Sequence, residues 1–423
     1  MIAIENFKTF KFEKVDIDPF WNNGTEKEQK IHRIHAYPAK FPSFITTKAL
    51  EYWKNNSNHH PERIADIFCG CGTTAFEAKR NLIKFWGCDI NPVATLIAKT
   101  KSRNYQSGRL LNYYDTIISN YLKGNIQDNY DLAPDRLKYW YFQEQYNELV
   151  HLKDVIYSSI PRNSHYMLFF LCAFSNILKA TSRWLTKSIK PQIDPNKKPT
   201  IVINAFKEQF KFMFTANTDI SDMSEAESEI MTGNFLDDTW EIPPVDMIIT
   251  SPPYVTSYEY ADLHQLSSLW LGYVDDYREL RNGSIGSLHN DYNFKKELKR
   301  LNSTGLKVVN LLLDQHKSKA IAVAKYFLDM QRVANKAYSI LNKDGKALFV
   351  IGNTEYKNVR IDNAKHLSES LLDAGFSSIC VTKRKISNKI LTPYRDEQGK
   401  FTSDKAGRKV YSEEFIIIGR KEI

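Results

Sequence analysis

The residues best suited to chemistry are Thr250-Ser251-Pro252-Pro253-Tyr254. Two consecutive prolines fix φ and remove two N–H donors, so the loop is stiff and its carbonyls remain acceptors. A polar side chain before the pair and an aromatic ring after it make a slot for a flat ring. Tyr254 can stack on its face, while the Ser251 hydroxyl and the Pro252 carbonyl can accept from an amino group. That suits methylation of an exocyclic amine, whose lone pair is delocalised into its ring. Two acceptors on its hydrogens would draw the nitrogen toward a tetrahedral, attacking form, and most of the catalysis would be alignment. Alone, the same residues could simply turn the chain after a strand.

Their company argues otherwise. In Asp66-Ile67-Phe68-Cys69-Gly70-Cys71-Gly72-Thr73-Thr74, Gly70 and Gly72 permit a sharp turn after a strand, and a helix starting near Thr73 would present free N–H groups to a ligand. About twenty residues past the glycines a second strand ends at Asp89, where an acid can accept both hydroxyls of a ribose. Asp89 could otherwise cap the following helix. The loop lacks the G-x-x-x-x-G-K of a phosphate-binding loop and the third glycine of a dinucleotide fingerprint, so a nucleoside without phosphates fits better. S-adenosylmethionine is the expected cofactor, with its methionine end near the glycines, its ribose on Asp89, and Asp66, Phe68 and Thr73 of the same motif against it.

Parallel strands must hold these loops. Arg63–Phe68, a helix over 73–81, Ile83–Asp89 and a helix after Pro92 alternate as in a parallel sheet with right-handed crossovers. Alternation stops at about 106–225, where 137–160 and 164–184 have helical period. It resumes with the buried-strand pattern Val245–Thr250, a helix over 259–272, another over 319–341, the strand Lys346–Gly352, a helix over 361–374, and a closing strand pair, Ser377–Lys383 and Glu414–Gly419. The expected fold is α/β, divided into an N-terminal cofactor half (1–105), a helical insert (106–225) and a catalytic half (226–423).

FCGCGTT together with TSPPY resembles the amino-methyltransferases of bacterial restriction-modification systems, which carry F-x-G-x-G and (D/N/S)-P-P-(Y/F/W). The resemblance covers about 30–104 and 232–423. It implies a Rossmann-like, seven-stranded, mostly parallel sheet with one reversed strand, the class I methyltransferase fold. It also implies S-adenosylmethionine as methyl donor and duplex DNA as partner, with a restriction endonuclease acting on the same site. The Ser form is typical of cytosine-N4 enzymes, while Asp or Asn is more usual for adenine-N6. The resemblance further assigns Tyr37, Pro38, Ala39 and Lys40, within HAYPAKF, to the cofactor's methionine end. Asn234 and Asp237, in Gly233-Asn234-Phe235-Leu236-Asp237, fall where the family contacts adenine. Cys71 departs from the usual Ser and should still permit the turn. Cytosine carbon-5 chemistry would need a Cys nucleophile, typically Pro-Cys, and the chain has no Pro-Cys.

Composition agrees with a polyanionic partner: 58 Lys and Arg against 49 Asp and Glu give a net charge of +9. Candidate phosphate contacts are Arg183, Lys187 and Lys190 beside Trp184, and Arg278 and Arg281 at the head of a second basic run; a third lies in the 383–409 loop. A base inside a duplex cannot reach the slot, so the target should be flipped out. Recognition could lie in the insert or in 275–305. Five scattered cysteines, with no C-x-x-C pair, suit a reducing cytosol and no metal site. The longest apolar stretch, Met167–Phe174, is far short of the ~20 residues that span a bilayer, and no secretory signal leads the chain, so a soluble cytoplasmic protein is expected.

Overall fold

The computed structural model describes residues 1–23, 27–38, 40–188, 190–224, 226–255, 260–287, 293–386, 394–395, 401–402, 408–409 and 412–422. Strands β1 (Ile2–Ala3), β2 (Arg63–Asp66), β3 (Lys84–Asp89), β4 (Ser228–Thr232), β5 (Val245–Thr250) and β6 (Leu341–Ile351) are followed by a hairpin of β7 (Thr354–Tyr356) and β8 (Val359–Ile361). Then come β9 (Ser378–Lys385), three two-residue strands, β10 (Tyr394–Arg395), β11 (Phe401–Thr402) and β12 (Arg408–Lys409), and finally β13 (Glu413–Arg420). The main sheet has the order β1-β9-β13-β6-β5-β2-β3-β4.

Strands β2 to β6 run parallel, and β13 runs against both β6 and β9. Among the described residues the sheet thus has eight strands rather than the expected seven. The addition is β1, a two-residue edge strand antiparallel to β9, too short to leave a periodic pattern, so two strands are reversed rather than one. Strand β4 also escaped the sequence reading, because on this edge only Ile230 of its five residues is buried and no apolar run forms. It restores the link between the two halves by pairing with β3 from Phe85↔Ser228 to Asp89↔Thr232.

Helices α1 (Ser43–Asn55), α2 (Thr73–Arg80) and α3 (Pro92–Ser102) belong to the first half. Asn91 caps α3, its Oδ1 accepting from the Val93 N–H at 3.0 Å, and Pro92 occupies the first helical position, where its missing donor costs nothing. The insert supplies α4 (Ser107–Lys123), α5 (Asp135–Trp140), α6 (Gln143–Ser159), α7 (Tyr166–Ile177) and α8 (Val202–Thr218). The helix expected over 137–160 is two helices, because Tyr141 is extended and its Oη donates to the Leu178 carbonyl at 2.9 Å. Similarly, 259–272 divides at His264 into α9 (Tyr260–Leu263) and α10 (Gln265–Trp270). The later helices are α11 (Phe294–Glu297), α12 (Ser303–Leu313), α13 (Lys317–Ile340) and α14 (Asn363–Asp373).

The insert shares one apolar core with α2, α3 and α10, through Phe76, Val93, Ile97, Phe170, Phe174, Phe206 and Trp270. It is a helical layer on the sheet's flank. On the opposite face, α12, α13 and α14 bury Val309, Phe327, Val333 and Leu367 against β5, β6 and β9. No helix among the described residues is long and apolar enough to cross a membrane.

Candidate active site

The chain reverses its direction of travel across the sheet between β2 and β5. From β2 it proceeds outward to β3 and β4; it then returns to β5 on β2's other side and continues to β6. Such a switch point opens a crevice at the carboxyl ends of the strands. The glycine loop leaves β2 there, and Ser251-Pro252-Pro253-Tyr254 leaves β5 there, with the strands in direct register at Ile64↔Met247 and Ala65↔Ile248.

Asp66 fastens the two loops together. Its Oδ1 accepts from Thr250 Oγ1 at 2.6 Å and from the Phe68 N–H at 3.2 Å, while Oδ2 accepts from Thr74 Oγ1 at 2.9 Å. The carboxylate is 2% exposed and turned into the protein, and burial raises its pKa to about 6 against these bonds. The sequence reading put Asp66 against the cofactor; its observed contacts are to the two loops.

In the glycine loop, Gly70 (φ 48°) and Gly72 (φ 75°) adopt left-handed backbone. A Cβ on Gly72 would lie 2.6 Å from the Ala98 Cα, so α2 and α3 touch at a point where only glycine fits. Asp89 accepts from the Gly70 N–H at 2.8 Å through Oδ2 and from the Asn91 N–H at 2.9 Å through Oδ1. Each oxygen keeps a lone pair, and burial raises the pKa to about 6. Two buried side-chain atoms at this end have no partner among the described residues, Thr73 Oγ1 and Asn91 Nδ2. A donor-acceptor hydroxyl on the first turn of α2, an amide donor and a half-buried carboxylate fit the polar groups of S-adenosylmethionine.

Tyr37 arches over the same loop, its ring 3.5 Å from where a Gly70 Cβ would be, and stacks on His264 at 5.0 Å and 27°. The preceding His35 is buried, bonded through Nδ1 to the Ala36 carbonyl and through Nε2 to Ser175 Oγ, and burial lowers its pKa to about 4. Tyr37 thus brings the HAYPAKF segment to the glycine loop. Within it Pro38 is half-buried, Lys40 is engaged by Glu28 at 2.7 Å and the His32 carbonyl at 3.0 Å, and Ala39 lies outside the described residues. Cys71 is buried and accepts from Lys101 Nζ at 3.4 Å, a role for sulfur that the sequence did not suggest.

Ser251 Oγ donates to the Val350 carbonyl at 3.0 Å, so its own proton is directed away and its lone pairs are left to accept. The Tyr254 ring lies against Gly352, 3.4 Å from where that residue's Cβ would be. Its Oη donates to Glu414 Oε1 at 2.8 Å, and Glu414 Oε2 accepts from Arg384 at 2.6 Å. Pro252 is buried and Pro253 half-buried.

Other expected residues are less uniformly gathered. Asn234 follows Gly233, whose N–H donates to the Asp89 carbonyl at 2.9 Å; its Nδ2 donates to the Gly283 carbonyl and its Oδ1 accepts from the Leu236 N–H. Asp237 stands apart. Its carboxylate is exposed, caps its own turn through the Thr239 N–H and Oγ1, and neighbours Lys336 near the far end of α13. Phe68 packs toward the α13 side of the sheet.

The two basic segments, far apart in sequence, are joined by a stack of rings. Trp184 stacks on Trp140 at 4.8 Å, and the Arg136 guanidinium lies 5.4 Å from the Trp140 ring and 5.1 Å from Tyr277. Arg136 Nε and Trp140 Nε1 both donate to Gln265 Oε1, at 2.8 and 3.0 Å, which ties the stack to the helix following Tyr254. Arg183 lies over Phe142 at 5.0 Å, Lys187 and Lys190 are exposed, Arg278 pairs with Asp276, and Arg281 pairs with Asp262 at 2.8 Å. Most of the 383–409 loop lies outside the described residues. Sequence reasoning missed Arg136, Gln265 and Glu414, of which Glu414 leaves a trace as an acid at the head of an apolar strand. Arg384 fell within the third basic segment, but its side chain is buried against Glu414.

No family model matches the chain. It is 24% identical over 399 residues, 86% of each chain, to the type II methyltransferase M.MvaI of Kocuria varians. It is also 32% identical over 99 residues to the type II methyltransferase M.MjaII of Methanocaldococcus jannaschii, 23% of this chain and 18% of the relative. Among solved structures, an rRNA methyltransferase, aviRa of Streptomyces viridochromogenes, aligns over 82% of this chain and 94% of its own at 10% identity, with a TM-score of 0.30 that carries no argument. The parallel sheet with its reversed strand β13, the loops at the switch point and the similarity across most of the chain converge on one reading. The chain has a class I methyltransferase fold and is similar over most of its length to a type II methyltransferase, with S-adenosylmethionine as its methyl donor.

Proposed function

We propose that the chain is a DNA methyltransferase that modifies the N4 amine of cytosine in duplex DNA, as the modification enzyme of a restriction-modification system alongside an endonuclease acting on the same site. The observation that carries the reading is the Ser251 hydroxyl, whose proton goes to Val350, beside a proline carbonyl and a tyrosine ring. A flipped pyrimidine would stack on Tyr254 and offer its amine hydrogens to Ser251 Oγ and the Pro252 carbonyl. These acceptors localise the nitrogen lone pair and strengthen as positive charge develops there, which is where preorganised dipoles act best. The cofactor, when bound, supplies a methyl group already activated on a sulfonium. Asp89 orients its ribose, and Tyr37 and the glycine loop enclose its amino-acid end. The choice of cytosine rests on Ser251 in the position where a carboxylate or amide is more usual for adenine.

Duplex DNA is supported by the net charge of +9 and by the ring stack that joins the Arg183 and Arg278 segments beside α10. The insert and the 275–305 stretch then share recognition, rather than either carrying it alone. Phosphate contacts would come from Arg183, Lys187, Lys190, Arg278 and Arg281. The test is methyl transfer from radiolabelled S-adenosylmethionine by the purified protein to duplex DNA and, separately, to tRNA and rRNA. Incorporation into DNA alone is expected; incorporation into RNA alone would overturn the reading.

A further inference from the structure

Strand β13 runs against its neighbours, so its first residues arrive at the carboxyl ends of the parallel strands, where the slot is. Glu414 is the second of them. Its side chain is only 14% exposed, it pairs in register with Arg384 on β9, and that arginine is 6% exposed and bonded to Glu414 Oε2. The other oxygen, Oε1, accepts from the Tyr254 hydroxyl. Gly352, at the end of β6, leaves room for the ring between them.

We propose that Glu414, held by Arg384, is a positioning residue that fixes the Tyr254 ring for stacking on the target base. The inference rests on the reading of Ser251–Tyr254 as a base slot. A tyrosine has two side-chain torsions, and a stiff Pro-Pro pair restrains only the backbone before it. A ring packed against Gly352 and tethered at its hydroxyl cannot turn when the base arrives, so its orientation is settled beforehand. The carboxylate acceptor also enriches the phenol ring, and a more negative face stacks better on an electron-poor heterocycle. Arg384 holds the acid's second oxygen and keeps it from turning toward the base.

The experiment is a double-mutant cycle between Tyr254→Phe and Glu414→Ala, read in two ways. One is single-turnover methylation of duplex DNA; the other is the urea midpoint of the cofactor-free protein. Each single variant should lower the methylation rate about 10- to 100-fold, the range for one hydrogen bond to a charged group, with cofactor affinity unchanged. The double variant should be no slower than the worse single one, and the midpoint shifts should likewise fall short of additive. Glu414→Gln, which keeps an acceptor, should recover most of the rate. Additive effects in both readouts, or a Gln variant as slow as the Ala variant, would overturn the proposal. A wild-type protein inactive on DNA, with the urea cycle still coupled, would instead refute the base-slot reading while the tether stands.

Discussion

At the scale of single residues, the proposed function gives the Ser251 hydroxyl and the Asp89 carboxylate opposite jobs. Ser251 acts through its lone pairs, since its proton is committed to Val350. Ser251→Ala should therefore reduce single-turnover methylation about 100-fold, the scale of losing one preorganised acceptor, and leave cofactor affinity unchanged by calorimetry. Asp89 acts through charge. Burial raises its pKa from 3.8 to about 6, so the ionised form is disfavoured in the fold. Its stabilising contribution is full below about pH 4, where both states are protonated, and is lost as pH rises through about 6. On the proposed reading cofactor binding runs the other way, because two ribose hydroxyls would need the carboxylate as acceptor. Affinity should fall as pH drops through about 6, and Asp89→Asn should bind weakly with no inflection there; titration calorimetry from pH 5 to 8 checks both.

At the scale of elements, the loops are held by contacts whose strictness differs. Gly70 and Gly72 both have positive φ, which costs a non-glycine residue about 1–2 kcal/mol. A Cβ on Gly70 would have the Tyr37 ring as its nearest neighbour at an ordinary 3.5 Å, whereas one on Gly72 meets the backbone of α3 at 2.6 Å. Gly70→Ala should thus destabilise the protein by about 1–2 kcal/mol, and Gly72→Ala by a further 1–3 kcal/mol from overpacking, measured by urea denaturation. Gln265 is a similar joint between the insert and the helix after Tyr254. Gln265→Leu leaves Arg136 Nε and the buried Trp140 Nε1 without their acceptor, at roughly 1–3 kcal/mol for each donor. Its denaturation midpoint should fall while cofactor affinity holds.

Across the whole molecule, the sequence disclosed the parts that obey local rules. Gly70, Gly72 and Asp89 follow from the geometry of a strand, a turn and a helix, and the apolar run 245–250 announces a buried parallel strand. Strand β1 was invisible because two residues show no period, and β4 because only one of its five residues is buried. The break at Tyr141 depends on a hydroxyl reaching Leu178 across the insert, which no local pattern encodes. The same is true of the site. Motifs revealed Ser251 and Tyr254, but Glu414 lies 160 residues beyond Tyr254 and comes to it only because β13 is reversed. Asp66 belonged to a legible motif, yet which way its carboxylate faces is set by Thr250 in a distant strand.

The central claim is the atom that receives the methyl group, and nucleoside mass spectrometry tests it most directly. Duplex DNA incubated with the protein and S-adenosylmethionine, digested to nucleosides, should contain N4-methylcytosine, and the Ser251→Ala reaction should contain far less. N6-methyladenine as the sole product, or no methylated base in DNA, would contradict the account.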